Sequence, residues 1–277
     1  MIYFISTPIG NLEDITIRAI KQLRKCKYII CEDTRRTTLL LNKYKIYNKE
    51  KIIYNDFNKY KQVEKIIELA KTNDLCFVSD AGMPIISDPG FELIKKLREN
   101  NLSYTILPGP SASLTALCLS SLKPDKFLFL GFLPKLKSDK FKLLKKYKNI
   151  KATFILYENQ NRVNETLEII RELFGNVKIA IVRELTKIYE DLIVNNISNL
   201  LEILKDKVLK GEIVILFESE IESEQKINNV EQIKEIIKKL KRKNFSNREI
   251  KNIIDIIFKI NKDIYKLLNE EKEKSDL

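Results

Sequence analysis

Histidine is absent from the 277 residues. That excludes Ser-His-Asp and Cys-His catalysis, histidine-ligated zinc and a histidine pH switch together. The four cysteines, Cys26, Cys31, Cys76 and Cys118, show no Cys-x-x-Cys spacing. Neither a zinc ribbon nor a thioredoxin motif is present, and no metal site is expected. Each cysteine sits in an apolar run and reads as a buried, inert thiol, a usage suited to a reducing cytosol. No apolar run reaches the roughly 18 residues of a membrane span. Met1 to Ile5 lead straight into Ser6-Thr7-Pro8 with no basic segment, so no signal peptide is read and a cytosolic protein is expected.

Glycine and proline are scarce, seven of each, against ordinary usage of about 7% and 5%. The chain lacks Gly-x-Gly-x-x-Gly, so a dinucleotide fold and the usual Rossmann methyltransferase loop are not expected, and it lacks the P-loop pattern as well. The glycines and prolines that remain act as punctuation. Most fall in three clusters: Thr7-Pro8-Ile9-Gly10-Asn11, Gly82-Met83-Pro84 through Pro89-Gly90, and Pro108-Gly109-Pro110-Ser111. Each follows a short apolar run that reads as a buried strand: Ile2 to Ser6, Cys76 to Ser79, and Tyr104 to Leu107.

Each cluster precedes a helical pattern. Asp14 is the expected cap of the first, and Ser111 of the last, which runs to about Leu119. A strand from Tyr28 to Cys31 ends in Glu32-Asp33-Thr34-Arg35 and leads to a helix near Thr37 to Tyr44. This alternation over residues 1–122 predicts an α/β half with a largely parallel sheet, whose ligands bind beyond the carboxyl ends of the strands. Residues 123–217 read as a second α/β half, opening with a hinge and short strand. Its further strands are expected at 153–157, 178–182, 190–194 and 212–217, with helices at 161–173 and 198–209. The acidic stretch 218–230 suggests a linker. Residues 231–277 read as a helical tail, with helices at 231–242, 247–258 and 262–273. The second of these opens on the capping box Ser246-Asn247-Arg248-Glu249.

With 44% hydrophobic and 32% charged residues, the chain can bury a core. Its net charge of +12 is concentrated. Residues 135–151 hold eight lysines and one aspartate, and 234–251 hold eight basic residues and two glutamates, so the rest is nearly neutral. Two basic blocks on a neutral body fit a polyanion, although solvated helix faces in a lysine-rich chain read the same way.

The loops themselves carry the most specific signal. In order, they are Ser6-Thr7-Pro8-Ile9-Gly10-Asn11-Leu12, Glu32-Asp33-Thr34-Arg35, Val78-Ser79-Asp80-Ala81-Gly82 with Asp88-Pro89-Gly90, and Leu107-Pro108-Gly109-Pro110-Ser111-Ala112. Gly131-Phe132-Leu133-Pro134, Arg183-Glu184-Leu185-Thr186-Lys187 and Lys210-Gly211-Glu212 follow. Over residues 2–217 this set resembles the tetrapyrrole-methylase-fold family. It is most similar to the branch that 2′-O-methylates a decoding-site cytidine of small-subunit (16S) ribosomal RNA.

The resemblance implies two α/β halves with S-adenosylmethionine in the cleft between them, a homodimer, and small-subunit rRNA or a ribosomal subunit as partner. It implies cofactor contacts at Pro8, Asp80, Ala81, Met83, Ser111, Ala112, Tyr157 and Gly211. Met83 stands where the family usually has threonine, and Arg36 where histidine is frequent. A ribose hydroxyl must lose its proton during or after transfer. Asp33, Glu184 and a Lys187 of lowered pKa are candidate acceptors. Arg35 and Arg183 are candidate phosphate clamps. Asp33 with Arg35, and Arg183 with Glu184, read equally as salt bridges holding strand ends. A same-fold methylase acting on a tetrapyrrole and a non-catalytic RNA-binding protein stay open as alternatives.

Overall fold

The computed structural model describes residues 1–205, 207, 209–219, 233, 235–243 and 245–258. They belong to two units, Met1–Glu220 and Ile221–Leu277. The first sheet of the larger unit contains β1 (Ile2–Ile5), β2 (Tyr28–Cys31), β3 (Glu50–Ile53), β4 (Leu75–Val78) and β5 (Tyr104–Leu107). Their order is β3-β2-β4-β1-β5, and every pair is parallel.

Helices α1 (Ile17–Lys25), α2 (Thr34–Lys43), α3 (Lys59–Thr72) and α4 (Phe91–Glu99) cover both faces of this sheet. That is why β4 is apolar and buried at each position. Successive side chains point to opposite faces. Phe4, Ile30 and Phe77 therefore pack with Val63, Ile66, Leu93 and Leu97. Ile5, Ile29 and Val78 pack with Ala19, Leu23, Leu40 and Leu41.

The second sheet contains β6 (Phe127–Phe132), β7 (Ala152–Asn159), β8 (Lys178–Arg183), β9 (Asp191–Asn196) and β10 (Glu212–Ser219), ordered β6-β7-β10-β8-β9. Only β6 and β7 run parallel; the other pairs are antiparallel. One face receives α5 (Ala112–Leu119), whose Ala116 and Leu117 pack on Ile155, Ala180, Val214 and Leu216. The opposite face is covered by α6 (Lys137–Lys146), α7 (Val163–Phe174) and α8 (Ile197–Ile203). By sequence α5 closes the first half, yet it packs on the second sheet and so ties the two together.

Several local expectations are corrected. Thr16, not Asp14, caps α1: its Oγ1 accepts the Ala19 N–H at 3.1 Å, while Asp14 ends a short 3-10 turn. Helix α2 starts at Thr34 because the Asp33 carboxylate accepts the Arg35 N–H at 2.8 Å. Helix α8 stops at Ile203 rather than near 209. Strand β10 continues through Glu218 and Ser219, where the acidic composition suggested a linker. Cys118 is exposed on α5, unlike the three other thiols.

The basic block at 135–151 also divides. Seven of its lysines are exposed, whereas Lys140 is fully buried. Its Nζ reaches Glu165 Oε1 at 2.7 Å, Thr166 Oγ1 at 2.8 Å and the buried Glu158 at 3.4 Å. Arg162 binds the other Glu158 oxygen at 2.6 Å. Burial of a lysine head is tolerated only with such partners.

In the smaller unit, residues 235–242 and Asn247–Phe258 are helical. The capping box forms: the Ser246 N–H and hydroxyl reach Glu249 Oε2 at 2.8 and 2.7 Å. Ile233, Ile237, Ile250 and Ile254 make a small core, and Lys238, Lys239, Arg242 and Lys243 are exposed. Residues 220–230 and the helix expected over 262–273 lie outside the described residues.

Candidate active site

The Gly/Pro loops converge beyond the carboxyl ends of β1, β4 and β5 and are stitched together there. Thr7 and Gly82 exchange backbone hydrogen bonds at 2.9 Å each way. The Thr7 hydroxyl donates to Ser79 O at 3.1 Å, and the Ser6 hydroxyl to Pro110 O at 2.6 Å. Across from them lie the ends of β6, β7 and β10. Between the two sets opens a cleft of about 460 Å³, within the usual range for small-molecule sites.

Seven of the eight residues proposed as cofactor contacts line it: Asp80, Ala81, Met83, Ser111, Ala112, Tyr157 and Gly211. Pro8 does not; its neighbour Ile9 does. Ser111 sits at the start of α5 without making a side-chain cap, its hydroxyl 3.2 Å from that of Ser113. Tyr157 is held edge-on by Phe129 and Phe132, with ring centroids 5.0 and 5.4 Å away. Phe132 nonetheless remains 61% exposed at the cleft.

The proposed catalytic set behaves differently, for none of Asp33, Arg35, Arg183, Glu184 and Lys187 lines the cleft. Asp33 forms a two-pronged pair with Arg35, whose side chain is 88% exposed. The Arg35 side chain, then its backbone N–H, hold the Asp33 carboxyl down to about 2. Such a group is a weak proton acceptor near neutrality. Arg183 pairs with Asp191 at 3.4 Å rather than with Glu184.

Glu184 accepts the Glu212 N–H at 2.8 Å and binds Lys187 at 3.0 Å, and its pKa is lowered, the backbone donor contributing most. Lys187 also reaches Glu212 at 3.1 Å. Burial opposes the Lys187 charge, but its two carboxylate partners outweigh that, so its pKa lies above the ordinary value. This corrects the expectation of a lowered Lys187 pKa. Together these side chains clamp the loop that presents Gly211 to the cleft. Gly211 needs its missing side chain, because at φ +103° a Cβ would run into the Glu184 carboxylate.

The carboxylates inside the cleft are others: Glu32 after β2, Asp80 and Asp88 on the loop after β4, with Glu212 on the far wall, where Glu158 adds to the lining although its buried side chain is held by Lys140, Arg162 and Thr166. Among the described residues Arg36 is the only basic one lining it, its Nε 3.6 Å from Asp80. Burial raises the pKa of Asp80, against the pull of the Asp33 N–H (3.0 Å) and Arg36. Burial, then the Asp80 charge, raises Glu32. Asp88 is raised most, to about 7, by burial and then by Glu32 and Asp80, partly offset by the Ser79 hydroxyl. Glu32 and Asp88 belong to the motif loops, but nothing in their spacing separates them from Asp33. Their enclosure does.

Residues 1–201 match the family model described as Tetrapyrrole (Corrin/Porphyrin) Methylases. The chain is 44% identical over 265 residues to a Rickettsia prowazekii protein named Ribosomal RNA small subunit methyltransferase I, covering 95% of this chain and 92% of that protein. A Hydrogenobaculum protein of the same name is 44% identical over 225 residues, 79% of this chain and 96% of the relative. Among solved structures, diphthine synthase is similar at a TM-score of 0.62 and 13% identity, over 78% of this chain and 89% of that one. That likeness concerns the fold.

Proposed function

The chain belongs to the tetrapyrrole (corrin/porphyrin) methylase family, and we propose that it methylates small-subunit ribosomal RNA with S-adenosylmethionine as donor. The finer reading is transfer to the ribose 2′-hydroxyl of a decoding-site cytidine. The observation that carries the donor is the charge of the cleft. Glu32, Asp80 and Asp88 face it, with Arg36 as the single lining cation among the described residues. That imbalance suits a ligand bearing a sulfonium and an ammonium against one carboxylate, and it repels phosphate. The rRNA substrate rests on the relatives' name, shared at 44% identity over nearly the whole chain.

Asp80, Ala81, Met83, Ser111, Ala112, Tyr157 and Gly211 would hold the donor, with Asp80 near its positive charge. When bound, S-adenosylmethionine supplies an already activated methyl group. The protein's own work is then to set the hydroxyl in line at near-attack distance and to receive its proton. The Glu184–Lys187–Glu212 clamp fixes the Gly211 wall. Phosphates stay outside, where Arg35 and the exposed lysines of 135–151 meet them, and the target nucleotide is turned out of its stack to reach the cleft. Residues 1–122 and 123–217 act as the two methylase halves and 231–277 as an RNA grip, within a cytoplasmic homodimer.

The test incubates purified protein with S-adenosylmethionine and small ribosomal subunits and maps the product by mass spectrometry. One ribose-methylated cytidine is expected; a methylated base, or methylation of no RNA, overturns the reading. The grip is tested by RNA titration at several salt concentrations. Replacing Lys238, Lys239, Lys241, Arg242 and Lys243 with Gln should weaken binding and flatten a slope of about −0.7 per phosphate contact, with donor affinity unchanged. Equal slopes would make this lysine run a solvated helix face.

A further inference from the structure

We propose that Asp88 is the catalytic residue that accepts the ribose proton during methyl transfer, an inference that rests on the ribose-methylation reading above. The residues named for that role by motif lie outside the cleft, so the acceptor must be sought among the groups that line it. These come from every element around it: Glu32 after β2, Arg36 on α2, Asp80 and Asp88 after β4, Tyr157 and Glu158 on β7, and Glu212 on β10.

Most are engaged elsewhere. Glu158 holds Arg162 and Lys140 at 2.6 and 3.4 Å, Glu212 holds Lys187 at 3.1 Å, and Asp80 faces Arg36 and accepts the Asp33 N–H. Glu32 has Arg36 as an opposing charge. Among the described residues no cation acts on Asp88, whose charged neighbours are carboxylates.

The backbone holds Asp88 in place at some cost. Ile85 and Ser87 adopt φ values of +77° and +65°, a conformation that a β-branched residue rarely takes. The loop they shape is seated on the second half at Gly131, where a Cβ would lie 2.9 Å from Ser87 Oγ. Asp88 thus enters the cleft where the two halves meet, near enough to Tyr157 to influence its ionisation. Its position in the titration scale, about 7, suits a group that must both take and release a proton near neutrality.

The step balances as follows. The ribose O2′–H proton passes to the Asp88 carboxylate as O2′ bonds the methyl carbon. The carbon–sulfur bond breaks with its electron pair going to sulfur, and Asp88 then returns the proton to solvent.

The experiment compares wild type, Asp88→Asn and Asp88→Glu in single turnovers on small ribosomal subunits at saturating S-adenosylmethionine across pH. Wild-type rate should rise with pH through a midpoint below the ligand-free value of about 7, because the bound cationic donor favours the ionised carboxylate. Asp88→Asn should lose about 10²–10⁴ in rate together with that rise. Asp88→Glu should restore part of the rate with a displaced midpoint, which also guards against a variant that merely fails to fold.

Binding gives a second readout. Calorimetry of S-adenosylmethionine at pH 7 in two buffers of different ionisation heat should show a fraction of a proton released by wild type, because a cationic ligand favours the ionised carboxylate. Asp88→Asn should bind within a few-fold and release none. Retained rate and pH rise in Asp88→Asn would overturn the proposal, as would an affinity loss as large as the rate loss, which would make Asp88 a donor ligand. Wild type that binds no S-adenosylmethionine, or methylates no ribose, would instead defeat the functional reading.

Discussion

The rim of the cleft and its interior use the same residue types to opposite ends. On the rim, Asp33 and Glu184 each meet a cation and a backbone N–H, and both are held below the ordinary carboxylate range. Inside, Glu32, Asp80 and Asp88 lose water and face one another, and all three are pushed above it. A paired charge is a fastening, since the partner that stabilises it also removes its appetite for a proton. Inside, Arg36 and the Asp33 N–H reach Asp80 without outweighing its burial, while Asp88, enclosed with no cation acting on it among the described residues, keeps that appetite. Which acid does chemistry is therefore decided by surroundings that a motif does not encode.

The largest effect should come from breaking a pair that is both buried and beside the cleft. Lys140→Ala leaves Glu158 with one fewer cation in a site without water access. Arg162 at 2.6 Å still pairs Glu158, so we expect a loss of about 2–3 kcal/mol in unfolding free energy, short of the full cost of an unpaired buried charge, measured by urea denaturation. A loss below about 1 kcal/mol would place the network with surface pairs.

Next in size is Asp88→Asn. A raised pKa means the folded state binds the proton more tightly than the unfolded chain. The resulting penalty is absent below the unfolded value near 4 and grows as pH rises toward about 7. The Asn variant should therefore match wild type at low pH and exceed its stability at pH 8 by on the order of 2 kcal/mol, discounted for partial exposure. Equal stability at both pH values would show that Asp88 is not enclosed in the way its neighbours imply.

Lys187→Ala tests the rim as a fastening. The pair is partly exposed, so stability should fall by about 0.5–1 kcal/mol. S-adenosylmethionine affinity should drop a few-fold as the Gly211 loop relaxes. A hundredfold rate loss with unchanged affinity would return Lys187 to the chemistry.

Much of the architecture is legible in residue order. The strands Ile2–Ile5, Tyr28–Cys31 and Leu75–Val78 are apolar runs closed by Gly/Pro or acidic punctuation. Helix α3 shows its face as Val63, Ile66, Ile67 and Ala70 at helical spacing, although no punctuation announces it. The partnership of α5 with the second sheet is not legible, because Ala-Ser-Leu-Thr-Ala-Leu-Cys-Leu is apolar all round and points to no side. Lys140 hides for a different reason. Among eight lysines of one block, only the fold shows which one turns inward to Glu158. Of the seven cofactor-contact candidates that line the cleft, Asp80, Ala81, Met83, Ser111 and Gly211 sit in the punctuated loops, while Ala112 opens α5 and Tyr157 lies on β7. The acids are separated by their partners, a close cation and a backbone N–H for Asp33 and Glu184 and other carboxylates for Asp88, and which partners meet is a property of packing.

The smallest expected effect is the sharpest test of the contrast between Asp33 and Asp88. Asp33→Asn keeps a side chain able to cap α2, since asparagine and aspartate serve alike at that position, and it removes only the charge that faces Arg35. A depressed pKa means the unfolded chain holds the proton more tightly, so the contribution of Asp33 is complete above the unfolded value near 4 and is lost as pH falls through about 2. At pH 7 the variant should be slightly less stable than wild type, and the two curves should converge in acid, the reverse of the Asp88 pattern. Chemical denaturation of both proteins from pH 7 down to the lowest pH at which wild type stays folded reads this directly. A gap that widens in acid would mean that Asp33 is not held by Arg35, and the rim would then have no claim to a different electrostatic character from the cleft.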